Sequence, residues 1–170
     1  MFLSIMEDYY KGLQRIYFYR VLNQLIKIGK LNDKKVLDFG CGIGKLEQKL
    51  GNNVVGYDIK SKYTKINDWT KIDFDIVVVN GVLYAMSEKE IRCFFDLLKK
   101  IKPNTELIIA IYKQNWLSNF GKWILNNKTA VDELKTIHQR RIKILREEMN
   151  IIVKKNIFFM CDIYLTKFKF

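Results

Sequence analysis

The sequence is poor in residues that punctuate, staple or ligate. It holds one proline, no internal repeat and no low-complexity stretch, which leaves no candidate linker. Its three cysteines, Cys41, Cys93 and Cys161, have no paired spacing, and a single histidine accompanies them. That inventory has none of the spacing of a zinc site, so no metal is expected, and a reduced, cytoplasmic protein is. No apolar run approaches the length of a membrane span; the longest, such as Ile108–Ile111, are strand-sized, so no transmembrane segment is expected. Met1–Met6 is apolar, but it is short and lacks the basic leader of a signal sequence. Acidic residues are scarce beside basic ones, 18 against 30, for a net charge of +12.

What is present makes a globular chain. Of 170 residues, 49% are hydrophobic, enough to bury one core, and residues 1–170 read as a single domain. The charge is uneven. Residues 1–98 hold 15 basic and 12 acidic groups; residues 99–170 hold 15 and 6. A basic surface attracts phosphate polymers or anionic lipid, and a lysine-rich composition with no functional meaning gives the same count.

The chain is organised around Val36–Gly44, V-L-D-F-G-C-G-I-G. Val36, Leu37 and Phe39 suit a short buried strand, three glycines (Gly40, Gly42, Gly44) break it, and Leu46 and Leu50 open a helical pattern. Strand, glycine turn and helix form the first unit of a doubly wound nucleotide-binding sheet. The unit also fits a dinucleotide-binding oxidoreductase or a glycine turn with no ligand. With Asp38 two residues ahead of the first glycine, L-D-F-G-C-G-I-G resembles motif I of the class I S-adenosylmethionine-dependent methyltransferases, and four later segments match that family in order.

Before the motif, Met6–Ile28 has the periodicity of an amphipathic helix (Leu13, Tyr17, Val21, Leu25, Ile28), packed on the sheet as part of a leading segment, 1–30. After it, Asn53–Tyr57 predicts the second strand. Asp58 follows, 18 residues beyond Gly40, at the spacing of an acid that accepts from ribose hydroxyls. Only Ile59–Tyr63 then precedes a candidate strand at Thr64–Asn67, too short for a full crossover helix, so a reduced helix and a trimmed sheet edge are expected. Asp73–Asn80 predicts a central strand buried on both faces. Ser87–Glu90 is a capping box opening a helix with Ile91, Phe94, Phe95 and Leu98 inward, and a Lys102-Pro103 turn leads to a strand at Glu106–Tyr112. Val131–Met149 predicts a helix with Val131, Leu134, Ile137, Leu145 and Met149 inward and Arg140, Arg141, Lys143 and Arg146 outward; strands at Ile151–Phe159 and Asp162–Phe170 close the chain. The expected fold is a three-layer α/β/α doubly wound sheet, mostly parallel with an antiparallel last strand, and with shortened helices after strands 1 and 2.

The resemblance implies S-adenosylmethionine as cofactor. It assigns Asp38, Gly40, Gly42, Gly44 and Asn80 to the methionine end, with Cys41 and Ile59 also among the cofactor-binding residues. Asp58 falls to the ribose, and Asp68 with Trp69 to the adenine; a solvated turn with a packed indole is the other reading of that pair. In the family the leading helix can fold over the cofactor, which would place Tyr9 and Tyr10 near the substrate. The tetrapeptide typical of base-amine methylation does not follow Asn80, and Ala85 stands where many small-molecule members carry a histidine. Tyr84 and His138 are then the catalytic candidates, against an ordinary rim tyrosine and a solitary surface histidine. Trp116, Phe120 and Trp123, interleaved with lysines after the fifth strand, suit a packed helix, a lid over an aromatic or lipid-like substrate, or a membrane-surface or base-stacking element. The expected function is methyl transfer to a small or amphipathic molecule. The alternatives are an RNA methyltransferase that uses the basic second half, and a non-catalytic cofactor- or RNA-binding subunit. Peripheral membrane contact fits the same features, and oligomeric state has no signature in the sequence.

Overall fold

The computed structural model describes residues 14–113 and 129–169. Six strands form one sheet: β1 (Val36–Phe39), β2 (Val54–Tyr57), β3 (Ile76–Asn80), β4 (Glu106–Tyr112), β5 (Met149–Ile157) and β6 (Cys161–Phe168), in the order β2-β1-β3-β4-β6-β5. The first four run parallel; β6 is antiparallel to β4, and β5 antiparallel to β6. Helices α1 (Gln14–Gly29) and α2 (Lys45–Leu50) cover one face, α3 (Glu88–Ile101) and α4 (Thr129–Glu148) the other.

Strand β3 shows why the middle of the sequence is continuously apolar. Ile76 and Val78 pack toward α1 with Val21, Leu25 and Ile108, while Val77 and Val79 pack toward α3 with Phe95, Leu98 and Ile109. A strand buried on both faces has no position for a polar residue. Helix α3 starts where its capping box predicts: Ser87 Oγ accepts the Glu90 N–H at 3.3 Å, and Glu90 Oε2 accepts the Ser87 N–H at 2.6 Å. Such a cap contributes about 1 kcal/mol.

The β2–β3 connection departs from expectation. Thr64–Asn67 is not a strand, and no helix replaces it; the chain runs through 3-10 turns at Ser61–Tyr63 and Trp69–Lys71. Thr64 explains the outcome. Its hydroxyl donates to Gly56 O at 3.0 Å and accepts from Ile66 N at 3.2 Å, so its side chain takes the β2 carbonyl that a further strand would have paired. Strand β2 is therefore the sheet edge. No helix among the described residues is long and apolar enough to cross a membrane, and no group of three or more potential metal-ligating side chains occurs among them.

Candidate active site

The glycine turn between β1 and α2 separates two requirements. At Gly40 (φ +79°) a Cβ would stand 2.2 Å from Val82 Cγ2, so β1 can pass the segment after β3 only without a side chain. At Gly42 (φ +50°) a Cβ would meet nothing within 4 Å: the backbone there borders open space in which a ligand can lie. The turn is fastened to β2. Gly40 N and Cys41 N both donate to Tyr57 O, at 2.7 and 3.0 Å. Gly42 N donates to Asp58 Oδ2 at 3.0 Å and Lys60 N to Asp58 Oδ1 at 2.9 Å. Asp58 thus braces the turn as well as facing its rim. Cys41 packs beneath, its Sγ 3.4 Å from Tyr63 O, and burial together with Asp38, Asp58 and Glu47 pushes its thiol up to about 12. It is a packing residue, not a nucleophile.

Carboxylates gather here although the chain is strongly basic. Asp38 is only 5% exposed and has no hydrogen-bonding partner among the described residues. Burial, then the nearby Asp58 and Glu47, raise it to about 7. Burial and two acidic neighbours both favour the neutral form of this acid, so a bound cation would be needed to hold it ionised below pH 7. Ile59, directly after Asp58 in the chain, is an apolar side chain 89% exposed.

Asp68 and Trp69 part company. Asp68 Oδ1 accepts Thr70 N at 3.0 Å and Thr70 Oγ1 at 2.6 Å, capping its own 3-10 turn, and these bonds hold the carboxyl below its ordinary range. The Trp69 ring turns inward instead of flanking the rim. It is 8% exposed and lies 5.6 Å from both Phe39 and Phe94, centroid to centroid. An indole gains more from burial against two rings than from a half-wet edge, and it anchors the turn that Asp68 caps.

The carboxyl ends of β3 and β4 carry a second cluster. Asn80 Oδ1 accepts the Tyr112 hydroxyl at 2.9 Å, and the Tyr17 and Phe18 rings of α1 pack on Tyr112. Past Asn80, Tyr84 sits on a 3-10 turn, Leu83–Ala85, with its hydroxyl 3.2 Å from His138 Nδ1 on α4. His138 is not a solitary surface residue. It is half-buried, a backbone hydrogen bond joins it to Tyr112, and Asp162, Lys113 and Lys154 face it. Burial lowers its pKa and the lysines add to that, against Asp162 and the Tyr112 bond; the net direction is down, so the ring is neutral at pH 7. Burial likewise pushes the Tyr84 hydroxyl well above its usual range.

Arg141 also departs from the expected outward face of α4. It is buried, and it donates from Nε to Leu83 O at 3.0 Å and from Nη2 to Met86 O. Three residues from His138, it shares that helix face and clamps the turn bearing Tyr84. Below them Asp162 accepts from Lys113 Nζ at 2.8 Å and from Asn156 Nδ2 at 2.7 Å; burial pushes it up, but these partners outweigh burial and hold it below its usual range. Arg141, Tyr112 and Asp162 carry no motif of their own in the sequence. Tyr9, Tyr10, Trp116, Phe120 and Trp123 lie outside the described residues.

A family model described as a methyltransferase domain matches residues 12–150. The chain belongs to that methyltransferase-domain family. No curated protein matches the sequence. Among solved structures it is similar to the N-methyltransferase NodS from Bradyrhizobium japonicum WM9 in complex with S-adenosyl-L-homocysteine, at 16% identity and a TM-score of 0.60, over 91% of this chain and 88% of that one. It is also similar to magnesium protoporphyrin IX methyltransferase from Synechocystis PCC 6803 with bound S-adenosylhomocysteine (18%, 0.56, 96% and 99%) and to the PH0226 protein from Pyrococcus horikoshii OT3 (14%, 0.62, 95% and 96%).

The cofactor of this methyltransferase domain, S-adenosylmethionine, fits the residues present. It is cationic at its sulfonium and its ammonium, and when bound it supplies a methyl group already activated for displacement. Asp38 offers a carboxylate without a partner, Gly42 an open stretch of backbone, and Ile59 an exposed apolar surface. The chain's own task is then alignment, which can contribute roughly 7–11 kcal/mol to lowering a barrier.

Proposed function

We propose that this methyltransferase acts on a small or amphipathic molecule whose acceptor atom, a nitrogen or oxygen, sheds a proton on methylation. The observation that carries this reading is the Tyr84–His138 pair at the carboxyl edge of β3 and β4, where open α/β sheets take their ligands. As the acceptor forms its bond to the methyl carbon and the carbon–sulfur bond breaks, the acceptor's proton passes to the Tyr84 oxygen. The Tyr84 proton moves to the neutral Nδ1 of His138 and from there to solvent. Arg141 keeps Tyr84 in line by holding both ends of its turn. Within the proposal, Asp38 and Gly42 hold the methionine end of the cofactor, Asp58 the ribose, and Asn80, set by Tyr112, the donor–acceptor junction.

A small acceptor is also supported by the neighbours. One is named for a magnesium porphyrin, and another comes from echinomycin biosynthesis. The excess of basic groups in residues 99–170 supports RNA as a second reading. One experiment separates the two: incubation with methyl-labelled S-adenosylmethionine and a total extract of the source cells, followed by separation of the nucleic-acid, organic, small aqueous and protein fractions. Label is expected in the organic or small aqueous fraction. Label in the nucleic-acid fraction would overturn the small-molecule reading.

A further inference from the structure

The hairpin joining β5 to β6 breaks a local rule. Its turn residues, Phe158 and Phe159, have φ of +48° and +58°, the left-handed values of a type I′ turn, where Asn-Gly is the ordinary sequence. A bulky side chain there is strained, and both rings remain in solvent: Phe158 is 55% and Phe159 82% exposed. The turn is nevertheless well formed. Asn156 Oδ1 accepts the Phe159 N–H at 2.7 Å, and Met160 N donates to Ile157 O at 2.9 Å. Two exposed phenylalanines at strained positions break a local rule with no packing gain, and such breaks are where a functional use is to be sought.

The tip does not stand alone. The Arg20 guanidinium lies 4.9 Å from the centroid of the Phe158 ring, which joins the tip to α1. One helical turn before Arg20, Ile16 is 68% exposed. Together they make an apolar surface with cations set into it. The charge of the two elements is one-sided: α1 contains Arg15, Arg20 and Lys27 with no acid, and 149–161 contains Lys154 and Lys155 with no acid. Lys154 leans toward Asp162 at 3.8 Å, while Arg15, Arg20, Lys27 and Lys155 are exposed; Arg15, Arg20 and Lys155 are the ones taken with the hairpin tip and Ile16.

The geometry points to an anionic lipid surface as the partner of this face, with Phe158, Phe159 and Ile16 entering the headgroup–acyl boundary and Arg15, Arg20 and Lys155 meeting the headgroups. Aliphatic and aromatic side chains ringed by arginine and lysine suit that boundary. RNA fits less well. Phe159 offers an open ring for stacking, but Arg20 already covers one face of Phe158 and the aliphatic Ile16, part of the same surface, offers nothing to a base. The hairpin tip abuts the catalytic edge, since Met160 O accepts Lys113 N at 2.6 Å just past β4, so docking there would set the acceptor site at the bilayer surface.

The test is co-sedimentation of the full-length protein with sucrose-loaded vesicles of phosphatidylcholine alone and of phosphatidylcholine with about a third phosphatidylglycerol, for wild type, Phe159→Ser and Arg20→Gln. Because these side chains are exposed, both variants should keep the wild-type circular dichroism spectrum and melting temperature, which are recorded alongside. Wild type should bind the anionic vesicles and not the neutral ones, and binding should weaken in 0.5 M salt. Phe159→Ser should lower the partition coefficient at least ~10-fold and Arg20→Gln about 5-fold. No binding to anionic vesicles, or equal binding by wild type and Phe159→Ser, overturns the proposal. So does a single-stranded oligouridylate that binds the wild type tightly, loses affinity on Phe159→Ser and finds no competition from vesicles; that result gives the surface to RNA.

Discussion

The Asp58 carboxylate is bonded to Gly42, accepting its N–H at 3.0 Å on one oxygen while the other accepts Lys60 N–H at 2.9 Å. The acid after β2 therefore supports the glycine turn even before a ligand is considered. Asp58→Ala leaves two N–H groups without partners and should cost about 1–2 kcal/mol in urea unfolding. Affinity for S-adenosylhomocysteine, measured by calorimetry, should fall at least ~100-fold. An alanine variant that binds like wild type would remove Asp58 from the site.

Gly40 and Gly42 should respond oppositely to alanine. In Gly40→Ala the new Cβ meets Val82 at 2.2 Å, and the variant should be poorly folded by circular dichroism. In Gly42→Ala nothing lies within 4 Å, so only the positive φ opposes it, at a cost of about 1–2 kcal/mol, and the fold should survive. Calorimetry on the folded Gly42→Ala protein should show cofactor affinity lost. Retained affinity would place the ligand elsewhere.

If Asp38 holds the cofactor as proposed, cofactor binding should depend on pH. Its pKa in the folded protein, about 7, stands above the roughly 3.9 of an unfolded chain. Between those values the folded state binds more protons than the unfolded state, so the ligand-free protein should lose stability as pH rises from about 4 to 7. Asp38→Asn should be the more stable protein at pH 8, by on the order of 2 kcal/mol in denaturant melts. The same variant should bind S-adenosylhomocysteine weakly, and wild-type affinity should rise with pH through about 7. A ligand-free stability that is flat between pH 4.5 and 7.5 would contradict the linkage.

The pair Tyr84 and His138 offers an internal probe, because His138 is the only histidine in the chain. Its imidazole resonances, followed by NMR, should titrate below the usual 6.5, the direction set by burial. Methyl transfer to the acceptor fraction should rise with pH as that ring becomes neutral. His138→Gln should lower the rate about 10²-fold and remove this acid limb while cofactor affinity stays within twofold. Unchanged rate and profile would make the pair structural.

Arg141 is buried with two carbonyls on its guanidinium. Arg141→Ala should cost roughly 2–4 kcal/mol by urea unfolding, since Leu83 O and Met86 O lose their donor. Arg141→Lys, with one ammonium in place of a fork, should recover only part of it. A change under about 0.5 kcal/mol would show that the turn stands without the clamp.

Much of this arrangement is legible in local pattern. The strand before the glycines, the four apolar residues of β3 and the capping box of α3 are set by neighbours two to four residues apart. Trp69, Arg141 and His138 are not, because each is decided by a partner far along the chain. Phe39 and Phe94 draw the indole inward, Leu83 O and Met86 O satisfy an arginine that its charge assigns to the outside although it lies four residues from both Ile137 and Leu145, and Tyr84 lies 54 residues from the ring it meets. Thr64–Asn67 has the composition of a strand, but Thr64 itself takes the Gly56 carbonyl a strand would need.

That hydroxyl has a consequence for assembly. The sheet has two rims, and they are not equivalent. The β2 rim is four residues long and one of its acceptors is taken by Thr64, whereas β5 runs nine residues with no strand beyond it among the described residues. An open-ended stack of sheets needs two receptive rims on every copy. With the β2 rim short and partly blunted, β5 is the rim better suited to extending the sheet, and a two-fold β5–β5 pairing closes on itself instead of propagating.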